Sequence, residues 1–243
     1  MIKSFSDLMN LLYNGYFLYT NENFRENLIN LILVFAVCAI CAYLIGSLNF
    51  SLILCRKKYG VDIRTQGSGN AGATNMLRTC GKKAAIYTFL GDVLKTSITV
   101  LFGYLMLGYD GAYFACLFWI IGHAYPIYFG FKGGKGVVAI STVCFLTEPL
   151  VFVILLVIFI IILYGYQMVS LASIMTMLVY PMMLSMVGHK EFGFHIILAA
   201  FSALFVIFLH RKNIARIYNH TESKINLRKK KDKIKKSYKE DDE

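Results

Sequence analysis

Apolar runs of membrane-spanning length recur along this chain of 243 residues, and they restrict its possible folds more than any single motif does. A helix needs roughly 20 apolar residues to cross a hydrocarbon core, where every backbone polar group must be paired within the segment. Seven runs stand out: residues 28–54, 84–107, 112–128, 137–146, 150–166, 171–187 and 194–209. They predict an all-α integral membrane protein, a bundle of seven transmembrane helices. The 57% hydrophobic content agrees, because a soluble domain carries roughly half. The fourth run is too short to cross alone, and Thr147-Glu148-Pro149 cuts it off. It is expected as a tilted partial helix or one limb of a shielded hairpin.

Charge sets the expected orientation. Residues 56–83 hold seven basic residues against one acid, and residues 211–243 carry twelve of the 25 basic residues. Lys and Arg accumulate on the cytoplasmic side, so both segments are placed there and the C-terminus is cytoplasmic. Seven crossings then put the N-terminus outside. Three parts are expected: a polar extension over 1–27, a membrane domain over 28–225, and a basic, disordered cytoplasmic tail over 226–243. The extension lacks a basic start leading into a short apolar core, so no cleavable signal is expected.

Several classes are set aside. A net charge of +11 could suit nucleic acid, but the tail interleaves its lysines with a single aromatic, Tyr238. Cys38-x-x-Cys41 has metal-ligand spacing, yet it falls in an apolar helix with no second pair of ligands. No metal, no cofactor and no obligate protein partner is expected; the lipid bilayer is.

The densest chemistry lies at Gly130-Phe-Lys-Gly-Gly-Lys-Gly-Val137, four glycines and two lysines in eight residues. Glycines let consecutive backbone N–H groups converge on an anion, and lysines add charge, so the loop reads as a phosphate cradle. It is not a nucleotide P-loop, which needs Gly where Phe129 stands and Ser or Thr where Gly136 stands. A second polar segment, Gly67-Ser-Gly-Asn-Ala-Gly-Ala-Thr-Asn-Met-Leu-Arg78, offers Ser68, Asn70 and Asn75 to a polyol or phosphate, and Arg78 as a phosphate fork. By itself it is equally a turn capping the next helix. Asp92 and Lys95, three apart in an apolar helix, are expected to pair. His123 alone reads as a structural hydrogen-bonder. His210-Arg-Lys-Asn213-Ile-Ala-Arg216, with Glu222 beyond, puts His210 and Asn213 on one face if helicity continues.

Taken together, GSGNAGATNMLR, GHAYPIYFGFKGGKGV, SLAS at 170–173 and HRKNIAR resemble, in order, the signature segments of the bacterial acyl-phosphate:glycerol-3-phosphate acyltransferases, the PlsY family. The similarity spans about Tyr43 to Glu222. It implies a seven-helix inner-membrane enzyme with a cytoplasmic active site, which moves a fatty acyl group from acyl phosphate to the 1-hydroxyl of glycerol 3-phosphate. Lysophosphatidate and phosphate are the implied products, in the first step of phospholipid synthesis. By motif position, Ser68, Lys135, His210 and Asn213 take catalytic roles. Asn70, Asn75, Arg78, His123, Lys132, Gly133, Gly134, Gly136 and Ser173 bind substrate. Two features depart from the family pattern: His220 stands where glycine is usual, and the extension precedes the usual start. A transporter for an organic phosphate is the rival reading. The one-sided polarity and the lack of an evident inverted repeat weigh against it.

Overall fold

The computed structural model describes residues 28–188 and 193–225, and the segments expected as extension and tail, with part of the loop at 188–193, lie outside them. Every element of regular structure among the described residues is helical. The first apolar run is interrupted. Helix α1, Leu28–Ser47, stops because Asn49 caps the next turn, its side chain accepting from Leu52 N at 3.1 Å, and α2, Phe50–Tyr59, starts afresh. The expectation of one helix over 28–54 is corrected accordingly. A short 3₁₀ turn, Ile63–Thr65, and α3, Ala73–Thr79, then carry the first polar segment.

Helix α4, Lys82–Ala124, contains two of the predicted runs. At about 1.5 Å per residue a straight helix would put residues 95 and 123 roughly 40 Å apart. Lys95 Nζ instead lies 3.2 Å from His123 Nδ1, so α4 folds back on itself. The reversal is at Gly108, whose φ of 71° and ψ of −155° suit glycine alone. Gly103 and Gly111 face each other across it so closely that a Cβ on Gly103 would sit 2.3 Å from the Gly111 carbonyl oxygen. The second arm ends at Ala124 instead of the expected 128, because Pro126 cannot continue the ladder.

Helix α5, Val137–Thr147, is the predicted short run. Proline at its first position starts α6, Pro149–Tyr166, followed by α7, Val169–Val187, α8, Phe194–Leu209, and α9, Arg211–Tyr218. Among the described residues, four helical segments are long and apolar enough to cross a membrane, or five when α8 and α9, bent by 55°, count as one. The core gathers Trp119, Ile120, Tyr113, Ile140, Met177, Tyr180 and Val206 from α4, α5, α7 and α8. Leucine, isoleucine and phenylalanine side chains of α1, α4 and α6 point outward in quantity, as a lipid-facing wall requires.

Candidate active site

One end of this bundle gathers the polar segments. The glycine loop returns against α4: Gly133 N donates to Ala124 O at 2.9 Å and Gly134 N to His123 O at 3.0 Å. Both glycines are required by proximity. A Cβ on Gly133 would lie 2.0 Å from His123 O, and one on Gly134 would lie 2.2 Å from His123 Nε2 and 2.6 Å from Ala71 O. The expected cradle is therefore corrected in part, since these two N–H groups are engaged within the protein. The open donors come next in the chain. Gly136 caps α5; Ala139 N donates back to Gly136 O at 3.0 Å, which leaves the N–H groups of Val137 and Val138 without a carbonyl one turn earlier. They face a cavity of about 370 Å³.

That cavity is lined by the polar side chains of Asn70, Arg78, Lys135, His210, Asn213 and Glu222, with Asp92, Gly136, His123 and Ser173 also in its wall. Apolar side chains of Phe89, Phe152, Leu155, Leu156, Phe159 and Met177 make up much of the rest. Lys135 Nζ donates to Asn213 Oδ1. That amide's orientation is fixed from behind, because Asn213 Nδ2 donates to Glu222 Oε1 at 2.7 Å. The same Oε1 accepts from Ser170 Oγ at 2.6 Å, and Oε2 accepts from Arg216 Nε at 2.6 Å. Arg78 Nη2 reaches the Ser223 carbonyl at 3.1 Å, so the segment after α9 lies across the first polar loop.

The electrostatics follow from this packing. Burial lowers the Lys135 ammonium to about 8; Glu222 opposes the shift, while Arg216 and Arg78 add to it. Burial and the neighbouring Lys135 charge push His210 down to about 4. His210 is thus neutral, and because its Nδ1 faces the Val206 carbonyl at 2.8 Å, that nitrogen carries the proton and Nε2 is left as an acceptor. Burial would raise the Glu222 carboxyl, but hydrogen bonds from Ser170, Arg216 and Asn213 prevail and hold it below the usual range.

Deeper in the wall, the expected Asp92–Lys95 pair is present at 3.2 Å. Lys95 has three protons to donate, and Gly46 O at 3.1 Å, Leu48 O at 2.6 Å and His123 Nδ1 at 3.2 Å take them. Asp92 Oδ1 therefore receives charge without an aligned hydrogen bond. His123 stacks on Trp119 with ring centroids 4.8 Å apart, which makes it the structural hydrogen-bonder expected from sequence as well as part of the wall.

Not every predicted residue reaches the cavity. Asn75 is buried and occupied: Oδ1 accepts from Ser68 N at 2.9 Å, while Nδ2 donates to Ile63 O at 3.1 Å and Gln66 O at 2.9 Å. It holds the polar loop in shape. Ser68, Lys132, Gly133 and Gly134 also lie outside the lining. Conversely, sequence reasoning gives no role to Arg64, Ser170, Arg216 or Glu222. Glu222 was visible as an acid in a basic stretch, but its reach back to Ser170 and Asn213 needs the turn after α9. Among the described residues, no group of three or more His, Cys, Asp or Glu side chains could hold a metal ion.

Residues 36–220 match the family described as glycerol-3-phosphate acyltransferase. The chain belongs to that family. A relative from Clostridioides difficile (strain 630), named glycerol-3-phosphate acyltransferase, is 40% identical over 201 residues, covering 80% of this chain and 97% of its own. One of the same name from Bacillus subtilis (strain 168) is 39% identical over 193 residues, covering 79% and 98%. The crystal structure of PlsY, an integral membrane glycerol 3-phosphate acyltransferase, in its glycerol 3-phosphate form superposes with a TM-score of 0.73 at 34% identity. It covers 79% of this chain and 96% of that one. PlsY in its lysophosphatidic acid form gives 0.71 at 32% identity. Membership of this acyltransferase family places the chain in phospholipid biosynthesis.

Proposed function

We propose that this acyltransferase takes its acyl group from acyl phosphate and transfers it to the 1-hydroxyl of sn-glycerol 3-phosphate, giving 1-acyl-glycerol 3-phosphate and inorganic phosphate. The observation that carries the reading is one cavity lined both by the cations Arg78 and Lys135, which suit phosphorylated reactants, and by phenylalanine and leucine side chains, which suit a fatty chain. Solved forms of PlsY with glycerol 3-phosphate and with lysophosphatidic acid support the acceptor and the product.

In this reaction the glycerol hydroxyl attacks the acyl carbonyl carbon, the ester C–O bond forms, and the bond to phosphate breaks. The departing phosphate needs charge stabilisation more than a proton. Lys135 and the amides opening α5 supply it. Arg78 and Asn70 bind the glycerol phosphate from the first polar loop. His210 is a weak base at about 4, so its Nε2 orients the attacking hydroxyl by accepting its hydrogen bond. The hydroxyl proton passes to the glycerol phosphate's own phosphate, as the family resemblance implies. Asn213 fixes Lys135, and Ser173 adds a wall contact. Ser68 and Lys132 act from the rim, Ser68 on the acceptor and Lys132 on the donor phosphate, and Gly133, Gly134 and Asn75 shape the loops that present these groups. Transfer is direct, without an acyl-enzyme.

The same reading makes each apolar run a membrane segment, with the two arms of α4 counted separately, the N-terminus outside and the polar mouth facing the cytoplasm of the cell's inner membrane. The lysines and arginines flanking the mouth support that orientation. The test is purified protein in detergent with glycerol 3-phosphate and either palmitoyl phosphate or palmitoyl-coenzyme A, following formation of the acylated glycerol phosphate, with phosphate released from the first donor and free thiol from the second. Turnover with the coenzyme A ester and none with the phosphate would overturn the donor assignment.

A further inference from the structure

Arg64 lies outside the cavity wall, yet it grips the loop that delivers Lys135. Its Nη1 donates to Phe129 O at 2.6 Å and to Lys132 O at 3.0 Å. The rest of the guanidinium is locked, with Nε donating to Asp62 Oδ1 at 3.0 Å and Nη2 to Asp62 Oδ2 at 2.7 Å. Asp62 is itself fixed twice more: Arg56 Nη2 donates to Oδ2 at 2.8 Å, and Oδ1 accepts from Arg64 N at 3.0 Å, which caps the 3₁₀ turn. Arg56 also lies 5.5 Å from the centroid of the Phe129 ring. From the opposite side, Gly133 and Gly134 tie the loop to the last carbonyls of α4.

The two carbonyls held by Arg64 bracket Phe131, which sits at φ 57°, a left-handed conformation that a residue with a Cβ adopts only when its surroundings impose it. We infer that the Arg56–Asp62–Arg64 cluster is a positioning device for Lys135, clamping the strained turn three to six residues upstream so that the ammonium emerges against Asn213. Lysine cannot replace the clamp, since a planar five-donor fork meets a carboxylate and two carbonyls at once and an ammonium does not. Hydrogen bonds from Arg64 hold the Asp62 carboxyl well below the usual range, so the clamp stays ionised wherever the enzyme works.

This inference rests on the reading that Lys135 stabilises charge in the reaction. Its test is a double-mutant cycle in Arg64→Lys and Lys135→Ala, measuring kcat/KM for glycerol 3-phosphate with saturating palmitoyl phosphate from pH 7 to 10. In the native background Arg64→Lys is expected to lower kcat/KM on the order of tenfold to hundredfold, the cost of a displaced catalytic group. In the Lys135→Ala background it should change little, because the group being positioned is gone. The alkaline limb, set by Lys135 among Glu222, Arg216, Arg78 and His210, should also move above about 8 as a loosened loop lets the ammonium hydrate. Should Arg64→Lys multiply fully with Lys135→Ala, or depress the rate at every pH with the limb unmoved, the clamp is merely structural and the inference fails. Native turnover in Lys135→Ala would instead overturn the reading of Lys135 itself. Thermal unfolding in detergent screens each variant. If Arg64→Lys unfolds early, Phe131→Gly in that background, which removes the backbone strain, must restore rate along with stability, or the inference fails.

Discussion

Replacing Glu222 with glutamine keeps the shape of the site and removes one charge from behind Asn213. Two hydrogen bonds in series separate the Glu222 carboxylate from the Lys135 ammonium, a distance on the order of 6 Å. At an effective dielectric near 20 that pair is worth about 2–3 kcal/mol, or about two pH units before screening. Salt and the partly exposed Arg216 reduce it, so a downward shift of about one unit is expected for Lys135. The sign is fixed by the chemistry: the ammonium is the active form, so activity is present below its pKa and is lost as pH rises through it. The native limb is expected at about 8, where Lys135 loses its proton, and the limb of Glu222→Gln near 7. At pH 8.5 the variant should fall roughly eightfold further below its own plateau than the native enzyme does. The assay is kcat/KM for glycerol 3-phosphate above pH 7, beyond the second phosphate ionisation near 6. A limb that stays in place or moves upward would refute the argument, whatever happens to the plateau.

Lys135→Ala should lower turnover on the order of hundredfold, the usual consequence of losing one charge-stabilising group, and initial rates of phosphate release check it. Gly108→Ala forces a side chain onto φ 71° and ψ −155° and should cost about 1–3 kcal/mol, read as a lower unfolding temperature in detergent. His210 binds its proton at about 4 when folded and at 6.5 when exposed, so unfolding takes up protons between those values and stability should fall as pH drops from 6.5 toward 4. His210→Gln should flatten that dependence in pH-resolved thermal melts. Removing residues 226–243 should leave turnover largely unchanged, because Glu222 and Ser223, the last residues seen contacting the site, precede the cut.

The apolar runs and the four polar segments were legible because each is written locally: a span is a run of greasy residues, and a motif is a short string. The pairing of Asp92 with Lys95 was legible for the same reason, being one helical turn. What sequence could not give was the use made of each group in three dimensions. Four glycines read as a nest, yet Gly133 and Gly134 are there because His123 and Ala71 crowd them. Asn75 reads as a ligand, yet its amide is saturated by its own loop. Arg64 and Glu222 carry no role in the sequence because partners that define one lie 65 and 52 residues away, at Phe129 and Ser170. The reversal inside α4 was legible as well, since one apolar run ends at 107 and the next begins at 112, and Gly108 turns the chain between them.

The carboxylate at 222 has a bearing on biosynthesis. It belongs to the last described stretch to leave the ribosome, and among the described residues it is the carboxylate that takes the Asn213 amide N–H. A chain stopped short of Glu222 already contains both polar loops and every helix through α9, but not the carboxylate that accepts from Ser170, Asn213 and Arg216. The contact that orients the Asn213 amide therefore forms across α9 only once Glu222 itself has been made.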